Sequence, residues 1–344
     1  MEAQEIPSCV NLYKMPEDTH YSKSNVNYAK QVMEQGHYDF IIYQDCYERN
    51  ERIVVEMSKS YNVPFIVFEH NTPLYINNLY PTKPIDTIRG LAQRLLLFYL
   101  TPRGISKAKH RKQFLFDNCT KYVLLSKQYI PELKQFLNEG SDYSKITFIN
   151  NPISSECKAG KPVERRKELL YVGRLVDAKK VKKIILIWNE VHKQLPDYQL
   201  VIVGDGPLRR RLEQLVSKLS LPRVSFEGFQ KPEEYYQRAE YMLMTSKFEG
   251  WPMTILEAMK YGCITIAEHN FSSLVDIIDD KENGFILPAK CSLSEWAEML
   301  LKLCRRDNDI EMRKRARAKV EQYSTEIIAQ QWDNMLKKFH INIQ

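Results

Sequence analysis

The stretch S-K-F-E-G-W-P-M-T-I-L-E-A-M-K-Y-G, residues 246–262, decides how the rest of the chain is read. Glu249 and Glu257 stand eight positions apart in it, Gly250 follows the first of them, and Pro252 sits where a helix can begin. Proline is tolerated in a first helical turn because the N–H it lacks would find no partner there. Residues 252–261 are rich in helix formers, so Glu249 falls in the loop before a helix and Glu257 in its second turn. The start of such a helix offers unpaired backbone N–H groups and the positive end of the dipole, which attract phosphate. One short segment thus presents an anion site between two carboxylates that can accept from hydroxyls. Spacing alone is more simply that of a solvated helix edge; the surrounding chain has to decide.

Working outward on the carboxyl side, 264–267 (I-T-I-A) reads as a buried strand, followed by E-H-N-F-S-S and Asp276. Residues 283–288 make a turn and strand, and two helices are expected at 293–304 and 310–322. Asp307-Asn308-Asp309 spells D-x-D but lies between helices, so it reads as a capping turn and no metal site is expected. Ser324 can cap a last helix whose Ile328, Trp332, Met335 and Phe339 form one apolar stripe.

Working toward the amino end, 241–245 is a strand that delivers the opening stretch at its carboxyl end. Strands are also expected at 169–173, 199–203 and 224–226, each ending in glycine-bearing turns: G-R-L-V-D-A-K from Gly173, V-G-D-G-P-L around Gly204, and Gly228-Phe229. Arg174 and Lys179 bracket a loop that opens a helix over 180–194, and two cations beside a helix start suit a diphosphate. Polar residues 156–167 read as a linker. Before them, apolar runs at 39–43, 64–68, 122–125 and 146–149 alternate with helical segments, which argues for an open parallel α/β sheet. Ligands bind at the carboxyl ends of such strands, which picks out Asp45, His70 and Ser126. The plain reading of His70 is a capping or core histidine.

Residues 91–100 are strongly apolar and lead into R-G-I-S-K-A-K-H-R-K and then Phe114, Leu115 and Phe116. Basic residues among exposed aromatics would suit an anionic membrane surface over 91–116; the alternative is a buried helix followed by a solvated one. The whole chain has 344 residues, enough for two domains, a net charge of +7 and 44% apolar residues. That mild basic bias fits an anionic substrate or surface and does not call for nucleic acid. Seven cysteines without a C-x-x-C pair, no membrane-spanning run and no visible signal peptide suit a reducing, cytoplasmic setting.

The E-x7-E stretch with E-G-W-P ahead of its helix, the G-R-L-x-x-x-K turn and V-G-D-G-P-L resemble the retaining GT-B glycosyltransferases of family 4, the glycosyl transferases group 1. The resemblance covers about residues 35–340 and is strongest over 168–290. It implies an α/β GT-B fold, two Rossmann-like domains facing a cleft: an acceptor-side domain over 1–158, apparently reduced, a nucleotide-sugar domain over 159–323, and a helix over 324–344 crossing back. It implies transfer of a sugar from a nucleotide diphosphate sugar, UDP- ahead of GDP-, to an acceptor hydroxyl with retention, in surface polysaccharide or glycolipid synthesis. Arg174 and Lys179 would hold the diphosphate, with N–H groups near Met253, Thr254 and Ile255. Glu257 would accept from the ribose and Glu249 from the donor sugar. Gly228 and Phe229 would line the base, and Gly250 would belong to the same donor-binding set. Glu69-His70-Asn71-Thr72-Pro73 looks like the segment whose histidine faces the donor sugar. No protein nucleophile is evident, so the family's front-face displacement is expected, without a metal cofactor. The acceptor would be a saccharide or lipid-linked sugar, met at the inner face of a membrane.

Two departures stand out. The family's Gly-Gly-x-x-Glu pattern after 264–267 is replaced by residues 268–276, which leaves the donor sugar open. Only 38 residues precede the first strand, and they hold a single glycine, Gly36. That keeps two other readings in view: a donor-binding subunit inactive without a partner chain, and a nucleotide-sugar epimerase of the same fold.

Overall fold

The computed structural model describes residues 10–11, 13–17, 21–45, 50–74, 88–154, 164–306 and 309–340; at 45, 88–101 and 340 only the backbone is described. Two parallel sheets form. The first contains β1 (Ile41–Asp45), β2 (Phe65–Glu69), β3 (Lys121–Leu124) and β4 (Ile146–Phe148) in the order β1-β2-β3-β4. The second contains β5 (Arg166–Val172), β6 (Gln199–Val203), β7 (Val224–Gly228), β8 (Ala239–Met244), β9 (Ile264–Glu268) and β10 (Phe285–Leu287). Its order is β10-β9-β8-β5-β6-β7, all parallel. The strands are the apolar runs of the sequence because a parallel sheet is covered on both faces. All five residues of β2 and of β9 are buried.

In the second sheet the order reverses between β5 and β8, so the chain leaves these two neighbours in opposite directions. The loops following them part there and open a crevice at their carboxyl ends, the place where a ligand enters an open α/β sheet. The loop after β5 carries Arg174 and Lys179; the loop after β8 carries Glu249 and Gly250.

One apolar cluster runs through both sheets. It joins Phe68, Val123 and Leu125 of the first to Met242, Trp251, Ile255 and Ile277 of the second. The last helix, Thr325–His340, lies across the first sheet, with Trp332 edge-on to Phe68 at 5.1 Å between ring centroids. Trp251 meets Tyr323, just ahead of that helix, at 5.2 Å. Ile153 and Tyr323, on the two crossings of the chain, share a backbone hydrogen bond of 2.8 Å.

One helix corrects the sequence reading. Residues Ile88–Asn118 form a single helix with Pro102 inside it. Leu115 and Phe116 are 0% and 2% exposed and Phe114 packs half-buried against the core, so the expected exposed aromatics are core residues. Ala108, Lys112, Leu115, Phe116 and Cys119 recur at helical spacing on the buried face. Lys112 is itself buried there in an ion pair with Glu69. Ile105, Lys107, Lys109 and His110 are exposed. No helix among the described residues is long and apolar enough to cross a membrane. The linker at 156–167 lies largely outside the described residues, as do Asp307 and Asn308. Asp309 precedes the helix Ile310–Val320, and its carboxylate accepts from Tyr241 at 3.1 Å.

Candidate functional site

The turns after β5 and β6 interlock. The Gly173 N–H donates to the Val203 carbonyl at 3.0 Å, Leu175 to Asp205 at 2.8 Å, and Leu208 to Leu175 at 3.1 Å. A methyl group on Gly204 would overlap the Gly173 carbonyl, and one on Gly206 would lie 2.6 Å from the Leu175 carbonyl oxygen. Glycine is needed at both because two backbones touch. Gly204 in turn donates to the Gly228 carbonyl at 2.7 Å, and Gly228 has φ +73. The three turns therefore form one rigid floor. Arg174 stands on it with its side chain exposed, its carbonyl held at 3.1 Å by the buried Tyr171 hydroxyl. Burial and the Glu249 carboxylate push the Tyr171 phenol well above its ordinary range, so it stays a donor. Phe229 projects from the far end with 75% of its surface exposed, a free aromatic face beside the floor.

Across the crevice, the Lys179 ammonium meets the Glu249 carboxylate at 2.6 Å, with the two side chains 28% and 12% exposed. The two loops are pinned by backbone. Lys247 N–H donates to the Ala178 carbonyl at 2.7 Å, and the Thr245 hydroxyl reaches the Lys179 carbonyl at 3.2 Å. Asp177 and Lys247 add an ion pair at the rim. Lys180, which opens the helix Val181–Val191, takes a left-handed backbone with φ +49. Burial lowers its ammonium pKa, opposed by Glu268.

The helix after Glu249 is Met253–Lys260, ended by Gly262 in the left-handed region; Cys263 N–H reaches Ala258 and Gly262 N–H reaches Met259, both at 2.8 Å. At its start Met253 and Thr254 are half-buried and face no helical acceptor. Ile255 differs from expectation: its N–H donates to the Pro252 carbonyl at 3.0 Å and its side chain is fully buried, so the anion-facing N–H groups are those of the two residues before it. Glu257 accepts from the Tyr236 hydroxyl at 2.9 Å through one oxygen, and burial raises its carboxyl pKa, partly offset by that bond.

The first sheet reaches this site through His70. Its carbonyl lies where a Cβ on Gly250 would sit, and that Cβ would be 3.2 Å from Asn71 Cα. The His70 ring packs on Phe68 at 4.3 Å. Glu69, immediately before it, is buried between the Lys112 ammonium and the Tyr122 hydroxyl, the latter at 2.8 Å. His70 and Gly250 are thus neighbours through their main chains, and Lys179, Glu249 and the start of the helix Met253–Lys260 form one wall. Arg174, Gly228 and Phe229 stand along the floor, and Glu257 lies one turn and more into the helix. The side chain of Asp45 lies outside the described residues. Ser126 turns to Asp276 at 2.5 Å. Tyr129, Glu132 and Asp276 bridge the two sheets; the sequence reading gave Tyr129 and Glu132 no role and placed Asp276 only in the stretch that departs from the family pattern.

Two Rossmann-like parallel sheets, the second with a cation–carboxylate pair at its switch point, are the arrangement of the GT-B fold. Residues 155–323 match the model of the family described as glycosyl transferases group 1, so this segment is similar to that family. The chain is similar to an uncharacterized glycosyltransferase of Haemophilus influenzae, 26% identical over 236 residues, 65% of this chain and 63% of that protein. It is also similar to the lipopolysaccharide 1,6-galactosyltransferase of Salmonella typhimurium, 31% identical over 159 residues, 44% of each chain. The matched regions span 44% to 63% of the length of these curated relatives. Among solved structures, Alr3699/HepE of Anabaena in complex with UDP shares the fold with a TM-score of 0.70 at 17% identity, over 91% of this chain and 82% of that one.

Proposed function

We propose that this protein is a retaining glycosyltransferase that moves a sugar from a nucleotide diphosphate sugar, UDP- in preference to GDP-, to an acceptor hydroxyl in bacterial surface glycan synthesis. The observation that carries the reading is the Lys179–Glu249 pair at 2.6 Å beside the open start of the helix Met253–Lys260. A diphosphate set there meets the Lys179 ammonium, the Arg174 guanidinium and the N–H groups of Met253 and Thr254. These groups are in place before charge builds on the departing phosphate, which makes them effective in the transition state. Glu257 keeps one oxygen for ribose hydroxyls, Phe229 offers a face to the base, and Glu249 accepts from the donor sugar. The C1–phosphate bond breaks and the C1–acceptor bond forms on the same face, while the acceptor's proton passes to the departing phosphate oxygen. His70 sits over the sugar. The relatives' names favour a saccharide or lipid-linked acceptor, and UDP in the Anabaena structure favours uridine. The exposed Ile105, Lys107 and Lys109 supply a basic, partly apolar face toward the inner side of a membrane. No resident metal or other cofactor is part of this reading.

The test is thermal protection by UDP and GDP, followed by donor consumption across a panel of sugars. UDP raises the melting temperature, and Lys179→Ala lowers turnover by roughly 10²-fold while the protein stays folded. Turnover within twofold of wild type in that variant would refute the assignment. Nucleotide binding without any turnover points instead to a donor-binding subunit that needs a second chain.

A further inference from the structure

The join between the two sheets carries a polar seam beside the apolar one, and its centre is a single phenol. Tyr129 is 0% exposed. Its hydroxyl lies 2.8 Å from the Glu249 carbonyl, 2.7 Å from the Gly250 carbonyl and 2.8 Å from Ser273 Oγ. A phenol has one proton, so it donates to one of the two carbonyls at a time, and the fully buried Ser273 hydroxyl donates to the phenol oxygen. Burial holds the phenol protonated.

The neighbours of Tyr129 extend the seam. Ser126 and Gln128 donate to the two oxygens of Asp276 at 2.5 and 3.0 Å. Glu132 accepts from Thr72 at 2.5 Å and from Ser272. Thus one short segment of the first domain, 126–132, grips residues 249–250 and 272–276 of the second. Thr72 stands two residues after His70, so the same carboxylate ties the histidine loop to the far side.

We propose that Tyr129 is a positioning residue for Glu249. It fixes the two peptides that follow Glu249 only while the two domains are together, and so couples closure of the cleft to the placement of the Glu249 carboxylate. This inference rests on the role given to Glu249 under the proposed function. It assigns the first domain a contribution to the donor-sugar wall that does not touch the donor. The nucleotide, held by the second domain, should be indifferent to it.

The experiment compares wild type, Tyr129→Phe, Ser273→Ala and the double variant. The readouts are UDP affinity by calorimetry, kcat for donor consumption, and the ratio of UDP-sugar to UDP affinity, which needs no turnover. Tyr129→Phe is expected to lower kcat at least tenfold and to erase the extra affinity contributed by the sugar, with the UDP dissociation constant within twofold of wild type. The double variant is expected to be no worse than Tyr129→Phe, since both changes empty one network. A kcat and an affinity ratio both within twofold of wild type would overturn the proposal. So would parallel losses of kcat and UDP affinity, which mark a general loss of structure. If Tyr129→Phe does not fold, Ser273→Ala decides: a threefold or greater fall in either sugar-dependent readout at constant UDP affinity supports the role, and no change overturns it. Wild-type protein that binds neither UDP nor GDP refutes the sugar-transfer reading first, and the role of Tyr129 with it.

Discussion

Gly250→Ala is the smallest change that reaches the centre of this site. Gly250 is not in the left-handed region, so the requirement for glycine here is space. A methyl group would overlap the His70 carbonyl oxygen, well inside the 3.0 Å that Cβ atoms keep, and would sit 3.1 Å from its carbon and 3.2 Å from Asn71 Cα. All three atoms are backbone and have no rotamer to yield. The two walls must therefore part by about 1 Å, a displacement that costs roughly 10²-fold in rate where reacting groups have to be aligned. Because one wall belongs to the first domain and the other to the second, the clash is relieved by opening the cleft. The separation also stretches the one hydrogen bond that Tyr129 donates to the carbonyl of Glu249 or of Gly250, worth about 1 kcal/mol. The expected result is a folded variant with wild-type UDP affinity and a kcat about 10²-fold lower. Donor-consumption kinetics with parallel calorimetry make the measurement. A kcat within threefold of wild type would refute the reasoning, because the contact would then be unimportant for alignment.

Two further expectations concern single residues. Lys180 holds φ +49 without being glycine, so Lys180→Gly should raise the urea-unfolding free energy by roughly 0.5 kcal/mol, strain relief of about 1–2 kcal/mol exceeding the entropy glycine adds to the unfolded chain; a fall would mean that its ammonium balances Glu268. Glu257 has its carboxyl pKa raised by burial, so the folded state binds this proton more tightly than the unfolded state does, and that contribution is full below the unfolded pKa and lost as pH rises through the folded one. Glu257→Gln should therefore melt above wild type at about pH 8, with the gap closing toward about pH 4, while UDP affinity falls; a gap independent of pH would contradict the burial effect.

The strands were legible because buried parallel strands are continuous apolar runs bounded by glycine turns, as in P-F-I-V-F at 64–68 and Q-L-V-I-V at 199–203. The Lys179–Glu249 wall was legible through local motifs, since each partner sits at a recognisable strand-to-helix turn. The helix Ile88–Asn118 shows how a local pattern misleads. Basic and aromatic residues alternate there as in an interfacial anchor, yet the period of 108, 112, 115, 116 and 119 marks a core face, and it was in the sequence to be counted. The seam was not legible. Tyr129 and Ser273 are 144 positions apart, Ser126 and Asp276 are 150, and Glu132 and Ser272 are 140. Nothing in the spacing of hydroxyl and carboxyl residues within either segment shows that the fold will bring the two together.

The segment that departs from the family pattern is also the one that makes the seam. Ser272, Ser273 and Asp276 stand where the glycine-rich pattern was expected, and all three spend their side chains on the first domain. Their partners are matched in kind. Glu132 is 7% exposed, and its two oxygens take a hydroxyl from each domain; the half-buried Asp276 takes a hydroxyl and an amide. Replacing Ser272 and Asp276 by residues without these groups would leave one Glu132 oxygen without a partner and the Ser126 hydroxyl, which still accepts from Gln128 N–H, without an acceptor for its own proton, at a cost of about 1–3 kcal/mol for each buried group. Changing residues 126–132 alone would strand the other half in the same way. The two segments therefore have to change together, so the departure in 268–276 belongs with the composition of 126–132. Its structural consequence lies in how the domains meet.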